Sequence, residues 1–259
     1  MTVTPQAEIP TGDARLHRSD RGEGPHGAGT GLRTGAVIVT GGSSGLGRAV
    51  VERLQASPAT PVILDRVPPA VDARDYELVD LADRRAAEAA VAAIARRHPD
   101  LWGVVTAAGT DACGRLDTVD AAAWERVVEV NLFGTAAVVR ACLPWLSANQ
   151  GRIVTVASTL GLRALSDATA YCASKFGVVG FTRALAAELA GEVGVTLLEP
   201  GGMQTAFFDG REDRYKPPAD AALSEPADVA AAVLFALAQP DGCEIRELVV
   251  TPSRETSWP

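Results

Sequence analysis

A glycine-rich turn between an apolar run and a helical run constrains this chain more than any other feature. Residues 35–40 form a continuous apolar run that ends Val-Ile-Val-Thr, a pattern typical of a buried parallel strand. Gly41, Gly45 and Gly47 follow directly, and residues 48–56 have a helical pattern. Glycines let the backbone approach a phosphate closely, and a helix N-terminus offers it free N–H groups. The unit therefore predicts a dinucleotide-binding strand–turn–helix.

Strand-like and helix-like runs alternate along the rest of the chain. Further strands are predicted at residues 61–65, 77–81, 101–109, 151–158, 195–200 and 247–251, and helices at 82–98, 124–146 (interrupted near 131–134), 171–190 and 227–238. Such alternation indicates parallel βαβ units. We therefore predict an α/β fold, a Rossmann-type doubly wound parallel sheet flanked by helices. It forms a single domain over residues 35–259, with a short substrate lid at about 203–224.

Residues 1–34 are rich in Gly, Pro, Thr, Arg and His and contain few large apolar side chains. A segment of this composition buries too little apolar surface to offset the entropy of ordering. We expect a disordered tail there. It also lacks the apolar core of a secretory signal peptide.

Charge and cysteine content exclude several function classes. The chain has 24 Lys and Arg against 32 Asp and Glu, a formal net charge of −8, whereas nucleic acids and anionic membranes require a basic surface. No apolar run reaches the roughly 20 residues of a membrane span. The four cysteines are widely separated, which indicates no metal framework and a reducing, cytoplasmic location. We thus expect no nucleic acid, membrane or metal as a partner.

Tyr171 and Lys175 stand four residues apart at the start of a helical run. Residues at this spacing share one face of a helix, so both side chains should point into the same space. A cation about 4 Å away, at an effective dielectric of about 20, would favour the phenolate by roughly 4 kcal/mol. We therefore predict that Lys175 lowers the pKa of Tyr171 and makes it an acid–base catalyst. The alternative is a half-buried tyrosine beside a snorkelling lysine.

An acid at the end of the second strand bears on cofactor choice. Asp65 lies eighteen residues after Gly47, where an acid accepts hydrogen bonds from the adenosine ribose and repels a 2′-phosphate. Arg66 follows and would instead attract a phosphate. NAD is therefore favoured over NADP as the cofactor, with Arg66 as the opposing feature.

The chain resembles the short-chain dehydrogenase/reductase family over residues 35 to about 251. The resemblance rests on Thr40-Gly41-x-x-x-Gly45-x-Gly47, Asn131, Ser158, Tyr171-x-x-x-Lys175 and Pro200-Gly201. It implies hydride transfer between a nicotinamide and a secondary alcohol or ketone of a small molecule. Tyr171 would be the acid–base, Ser158 would polarise the substrate oxygen, Lys175 would bind the nicotinamide ribose, and Asn131 would hold a relay water.

The same resemblance implies a set of cofactor contacts and a homo-oligomer, a dimer or tetramer. The implied contacts are Gly41, Ser43, Ser44, Gly45, Leu46, Gly47, Asp65, Arg66, Asp80, Leu81, Ala107, Ala108, Gly109, Tyr171, Lys175, Pro200, Gly201, Met203 and Thr205. Asp65 would hold the ribose, and Asp80 with Leu81 the adenine.

Two departures from the family pattern stand out. Ala107 replaces the usual asparagine after the fourth strand, which removes an expected sheet-stabilising hydrogen bond. The last strand ends Leu-Val-Val-Thr-Pro252 without the usual Asp-Gly-Gly, and this is similar to serine and 3-hydroxy acid dehydrogenases and to antibiotic-pathway dehydrogenases of secondary metabolism.

Two other functions are compatible with this fold. One is a non-catalytic NAD(P)-binding sensor or interaction protein, because a fold does not fix function. Its usual sign is loss of the tyrosine or the lysine, and both are present here. The other is an epimerase or dehydratase that uses the same Tyr-Lys pair, although such relatives usually carry a larger substrate region.

Overall fold

The seven strands form one parallel sheet in the order β3-β2-β1-β4-β5-β6-β7. The computed structural model describes residues 31–69 and 75–254, so the predicted tail lies outside the described residues except for its last four. The strands are β1 Gly35–Thr40, β2 Ala59–Asp65, β3 Tyr76–Leu78, β4 Gly103–Thr106, β5 Arg152–Val156, β6 Gly194–Pro200 and β7 Glu247–Val250. The helices are α1 Gly45–Gln55, α2 Arg84–Arg97, α3 Ala121–Val128, α4 Thr135–Ala148, α5 Thr169–Glu188 and α6 Pro226–Leu237.

Helices cover both faces of the sheet, which explains why its central strands are apolar throughout. All six residues of β1 are buried. Ile38 packs into the core beneath α2 and α4, whereas Val37 and Val39 pack into the core beneath α1 and α6. Successive side chains of one strand therefore serve opposite cores. The predicted doubly wound α/β fold is confirmed.

The strand order reverses between β1 and β4. From β1 the chain runs outward through β2 and β3, and then returns to β4 on the other side of β1. Thr40 and Thr106, which end the two strands, are paired in register. Loops leaving this point in opposite directions open a crevice at the carboxyl edge, where ligands of such sheets bind.

The helix predicted over residues 124–146 is interrupted where the sequence indicates it. A π-helix, Glu129–Gly134, separates α3 from α4. Gly134 lies against Leu81, and a Cβ on Gly134 would be 2.8 Å from the Leu81 Cβ. Among the described residues, Ala121–Ala148 is long and apolar enough to cross a membrane, yet many of its apolar residues face the core beneath α2 and α4.

The segment 203–224 projects from the sheet between β6 and α6. It contains two short 3₁₀ helices, Ala206–Phe208 and Asp213–Tyr215. Its ends meet in a parallel bridge between Met203 and Ser224, supported by a hydrogen bond of 2.9 Å from Gln204 N to the Ser224 carbonyl oxygen. The segment is therefore a loop closed at its base, and its role as a lid remains a prediction.

Candidate active site

The glycine turn has a backbone that only glycine adopts easily. Gly41 and Gly45 have φ angles of 68° and 51°, in the left-handed region. A Cβ on Gly47 would lie 2.2 Å from the Gly41 carbonyl oxygen, so this position excludes any side chain. The turn delivers the chain into α1, whose N-cap residue Ser44 makes no side-chain capping bond. The first N–H groups of α1, at Gly45 and Leu46, are therefore well placed for a phosphate.

Asp65 is fixed at the rim of this turn. One carboxylate oxygen accepts a hydrogen bond of 2.9 Å from Ser43 N, and the other accepts bonds from the backbone N–H groups of Arg66 and Val67 at 2.7 and 3.3 Å. The Ser43 hydroxyl donates to the Val67 carbonyl. Ser43 thus connects the turn to the end of β2, and its side chain is not available to a phosphate.

The predicted adenine contacts differ from expectation. β3 ends at Leu78, so Asp80 and Leu81 follow the strand instead of completing it. The Asp80 carboxylate accepts hydrogen bonds from Arg126 Nη2 at 2.7 Å and Ala82 N at 3.0 Å. Leu81 is buried in the core beneath α2 and α4. The backbone of Leu81 is thus the part of this residue left for an adenine contact, and that contact stays a prediction.

Three of the predicted catalytic side chains converge at the carboxyl edge beside this crevice. Ser158 follows β5, and its hydroxyl is hydrogen-bonded to that of Tyr171 on α5. Lys175 lies one turn further along α5, is only 4% exposed, and donates a hydrogen bond of 2.9 Å to the Val156 carbonyl oxygen. Its ammonium nitrogen is 5.6 Å from the centre of the Tyr171 ring.

Burial governs the pKa values of Tyr171 and Lys175. Burial raises the pKa of Tyr171 to about 12, and the hydrogen bond with Ser158 only partly offsets it. Burial also lowers the pKa of Lys175 to about 8. Desolvation of the phenol is therefore the largest influence on the pKa of Tyr171, and the lowering of that pKa by Lys175 stays a prediction.

Asn131 joins the π-helix to the loop after β4. Its Nδ2 donates to the Thr110 carbonyl at 2.9 Å and to the Ser174 hydroxyl at 3.0 Å, and its Oδ1 accepts from Thr110 N at 2.8 Å. The side chain of Asn131 thus has its main donors and acceptor engaged within the protein. A relay water would have to bind the Asn131 backbone, and that role remains a prediction.

The loop after β4 closes the gap between the turn and these side chains. Ala108 N donates a hydrogen bond of 3.1 Å to the Thr40 hydroxyl, which ties the ends of β4 and β1 together. This bond supports the position although Ala107 replaces the usual asparagine. A Cβ on Gly109 would lie 3.6 Å from Asn131 Oδ1 and 3.8 Å from Lys175 Nζ. Ala107, Ala108 and Gly109 thus lie between the glycine turn and Lys175, and their contact with the cofactor stays a prediction.

The predicted nicotinamide-end residues lie where β6 leaves the sheet. Gly201 N donates to the Val250 carbonyl, which anchors the turn after Pro200. Thr205 caps the first 3₁₀ helix, and a Cβ on Gly45 would be 3.5 Å from its methyl group. Met203 packs at the edge of the core beneath α1 and α6. Thr205 is therefore brought to the glycine turn, whereas the Met203 side chain contributes mainly to the core.

One buried ion pair beside Tyr171 escaped sequence reasoning. Arg211 Nη2 lies 2.7 Å from Asp111 Oδ2, with the two side chains only 17% and 8% exposed. Arginines in surface loops are usually solvated, and nothing in the local sequence of Arg211 or Asp111 indicates a partner. The two residues meet because the loops after β4 and β6 end at the same edge.

The residues present fit a dinucleotide. The turn supplies phosphate-binding N–H groups, Asp65 supplies a fixed acceptor at the rim, and Lys175 supplies a buried cation at the opposite end. Among the described residues, no group of three or more His, Cys, Asp or Glu side chains could hold a metal ion. Fold and site together define a nicotinamide-dependent oxidoreductase of the doubly wound class.

Comparison with known proteins identifies the family. The family model described as short chain dehydrogenase matches residues 35–216, and the chain belongs to this family. The chain is 29% identical to the L-fucose dehydrogenase of Mus musculus over 242 residues, covering 86% of this chain and 89% of that protein. It is thus an NAD(P)-dependent enzyme that interconverts alcohols and ketones, and no finding supports the non-catalytic alternative.

Solved structures share the fold. A crystal structure of actinorhodin polyketide ketoreductase with NADPH is 27% identical, with a TM-score of 0.75 and coverage of 85% of this chain and 96% of that chain. The ligand-free aldohexose dehydrogenase of Thermoplasma acidophilum is 24% identical, with a TM-score of 0.76 and coverage of 85% and 93%. At this identity the second likeness concerns the fold alone.

Proposed function

We propose that this enzyme transfers hydride between NAD(H) and the carbinol carbon of a small secondary alcohol or ketone, with Tyr171 as the proton donor and acceptor. One observation carries the proposal. The hydroxyls of Ser158 and Tyr171 are hydrogen-bonded to each other beside buried Lys175, at the sheet edge that also carries the glycine turn. A substrate oxygen within reach of both hydroxyls would lie next to the nicotinamide of a cofactor whose phosphates bind to that turn.

Tyr171 carries the proton that ketone reduction requires. Because its pKa is raised to about 12, the phenol carries its proton at neutral pH and can donate it to a carbonyl oxygen. Ser158 donates to the same oxygen and stabilises the negative charge that develops there. The bound cofactor supplies the hydride, and Lys175 and Asp65 would bind its two riboses.

Replacing Tyr171 by phenylalanine tests this assignment. The Tyr171→Phe variant keeps the ring but loses the proton, so kcat/KM should fall by about 100-fold or more, while the Kd for NADH stays unchanged. Tyr76→Phe, on exposed β3, is the matched control. Turnover of a broad panel of ketones and alcohols is followed by nicotinamide absorbance, and unchanged rates for Tyr171→Phe would reject the assignment.

The preference for NAD rests on the negative charge of Asp65. Its backbone partners hold the carboxylate at the rim of the turn, where it would meet a 2′-phosphate. The Asp65→Asn variant should therefore improve NADPH affinity relative to NADH by about tenfold or more. Arg66→Gln should act in the opposite direction. An NADPH preference in the unaltered protein would show that Arg66 dominates.

A homo-oligomer and a cytoplasmic location complete the proposal. Phe133 and Phe176 expose large apolar surface on the π-helix and α5, and a second copy would cover it. All four cysteines are free thiols, which suits a reducing compartment. Light scattering of the purified protein and cell fractionation test the two statements. A monomer at micromolar concentration, or a secreted product, would contradict them.

A further inference from the structure

The Asp111–Arg211 pair differs from most ion pairs in the described structure by its burial. Other pairs on the same two loops, Arg115–Asp117 and Arg214–Glu212, are more than 60% exposed on both sides. Exposed pairs of that kind contribute little. A buried pair costs desolvation and survives only with good geometry and further hydrogen bonds.

Further hydrogen bonds support the pair, although Arg211 Nε has no partner among the described residues. Asp111 Oδ1 accepts from Ala112 N at 2.7 Å, and Oδ2 accepts from the Cys113 thiol at 3.2 Å. Arg211 Nη1 donates to the Tyr215 carbonyl at 3.3 Å. The pair therefore fastens the loop after β4 to the 203–224 segment.

The Asp111–Arg211 pair lies next to aromatic side chains, one of which contacts Tyr171. The guanidinium of Arg211 is 4.9 Å from the Phe207 ring centre and 4.7 Å from that of Phe208. The Phe207 ring in turn lies 5.7 Å from the Tyr171 ring. After burial and the Ser158 hydrogen bond, Asp111 raises and Arg211 lowers the pKa of Tyr171. The pair is thus close enough to act on the reacting group through its charges.

The two charges cancel each other beside the substrate position. A substrate carboxylate there would meet an arginine that is already paired and an aspartate that repels it. An uncharged substrate meets only the aromatic rings and a neutral ion pair. A substrate carboxylate held there would lose its hydration and gain no free cation in exchange, which disfavours its binding.

We propose that Asp111 and Arg211 are a positioning and specificity pair, which holds the 203–224 segment over Tyr171 and selects uncharged ketones and alcohols over those that carry a carboxylate. The inference rests on the proposed function for its substrate, and it opposes the likeness of the C-terminus to 3-hydroxy acid dehydrogenases.

Ethyl acetoacetate and acetoacetate form a matched test pair, since they share one ketone and differ in the charge of the neighbouring group. The value of kcat/KM is measured with NADH, and the Kd of each ketone is measured by calorimetry on the NAD+-loaded enzyme, which cannot reduce it. The unaltered protein should favour the ester by about tenfold or more. Asp111→Asn should shift this ratio toward acetoacetate by about tenfold, because it frees the charge of Arg211. Arg211→Gln should not produce this shift.

Two readouts distinguish the proposal from a merely structural role. The substrate ratio should move toward acetoacetate in Asp111→Asn and not in Arg211→Gln, whereas a merely structural role would change the ratio alike in both variants. Without any turnover, thermal unfolding still tests the coupling. Each single variant should lower Tm by roughly 5 °C, with the double variant no lower than the worse single.

Asp117→Asn and Arg214→Gln are the matched controls, on the same loops but exposed, and should leave Tm and the substrate ratio unchanged. Three results would overturn the proposal: an acetoacetate preference in the unaltered protein, no change of ratio in Asp111→Asn, or additive losses of Tm. The thermal result requires no turnover, so failure of the proposed function is recognised separately, by the Tyr171→Phe assay.

Discussion

Replacing Glu199 by glutamine should stabilise the protein at pH 8 and leave its stability nearly unchanged at pH 4. Glu199 lies in β6 and is 1% exposed, and neither carboxyl oxygen has a hydrogen-bond partner among the described residues. Burial raises its pKa to about 7, the charge of Glu247 on β7 adds to this, and Arg183 on α5 opposes it. The carboxyl group is therefore more readily protonated in the folded protein than in the unfolded chain.

The magnitude follows from proton linkage. Below the ordinary pKa of 4.5, both the folded and the unfolded chain hold the proton, so Glu199 adds no pH dependence. As pH rises from 4.5 to about 7, the unfolded chain ionises first, and the folded state loses relative stability. With about 1.36 kcal/mol for each pH unit between the two pKa values, the loss approaches roughly 3 kcal/mol above pH 7. Glutamine cannot ionise and avoids this loss.

The assay is urea unfolding of the unaltered protein and of Glu199→Gln at pH 4, 6 and 8. The difference in unfolding free energy should be near zero at pH 4 and grow to between about 1 and 3 kcal/mol at pH 8. Glu192→Gln, exposed just before β6, is the control and should show no such growth. A difference that is constant with pH, or that reverses in sign, would refute the reasoning.

Two further predictions concern the site's framework. Gly47→Ala should abolish NADH binding or folding, because its Cβ would lie 2.2 Å from a backbone oxygen. Gly180→Ala has nothing within 4 Å of its Cβ and should raise the free energy of unfolding by up to about 1 kcal/mol. Equal Tm values and equal NADH affinities of the two variants in calorimetry would contradict this. Asn131→Ala should lower the free energy of unfolding by about 1–3 kcal/mol and reduce turnover, since it leaves the N–H and C=O groups of Thr110 without their partner. An unchanged midpoint of urea unfolding would contradict this expectation.

The sequence predicts the fold well because its signals are local. Each buried strand is a short apolar run, and the turn at Gly41–Gly47 needs a glycine wherever the backbone is crowded or left-handed. The interruption near Asn131 is visible because polar and glycine residues break an otherwise apolar helix. The boundaries of β3 are harder to predict, since this edge strand has only three residues and Leu81 after it turns into the core.

The electrostatics of the site depend on contacts that no local pattern contains. The pKa of Tyr171 is governed by its burial, which is set by α5, the β5 loop and Phe207 together. Spacing alone predicts the nearby cation but not the desolvation of the phenol. Asp111 and Arg211 are a hundred residues apart in sequence, so their pairing exists only once the sheet has placed both loops at one edge.

The bridge between Met203 and Ser224 means that the segment between them could be exchanged without moving its two ends. Both ends are already held side by side by the rest of the protein, so a longer or shorter insert would start and finish at the same points. Each doubling of loop length costs only about 0.6 kcal/mol in closure entropy. We therefore expect that the twenty or so residues of this segment can be exchanged while Ser158 after β5 and Tyr171 on α5 stay in place.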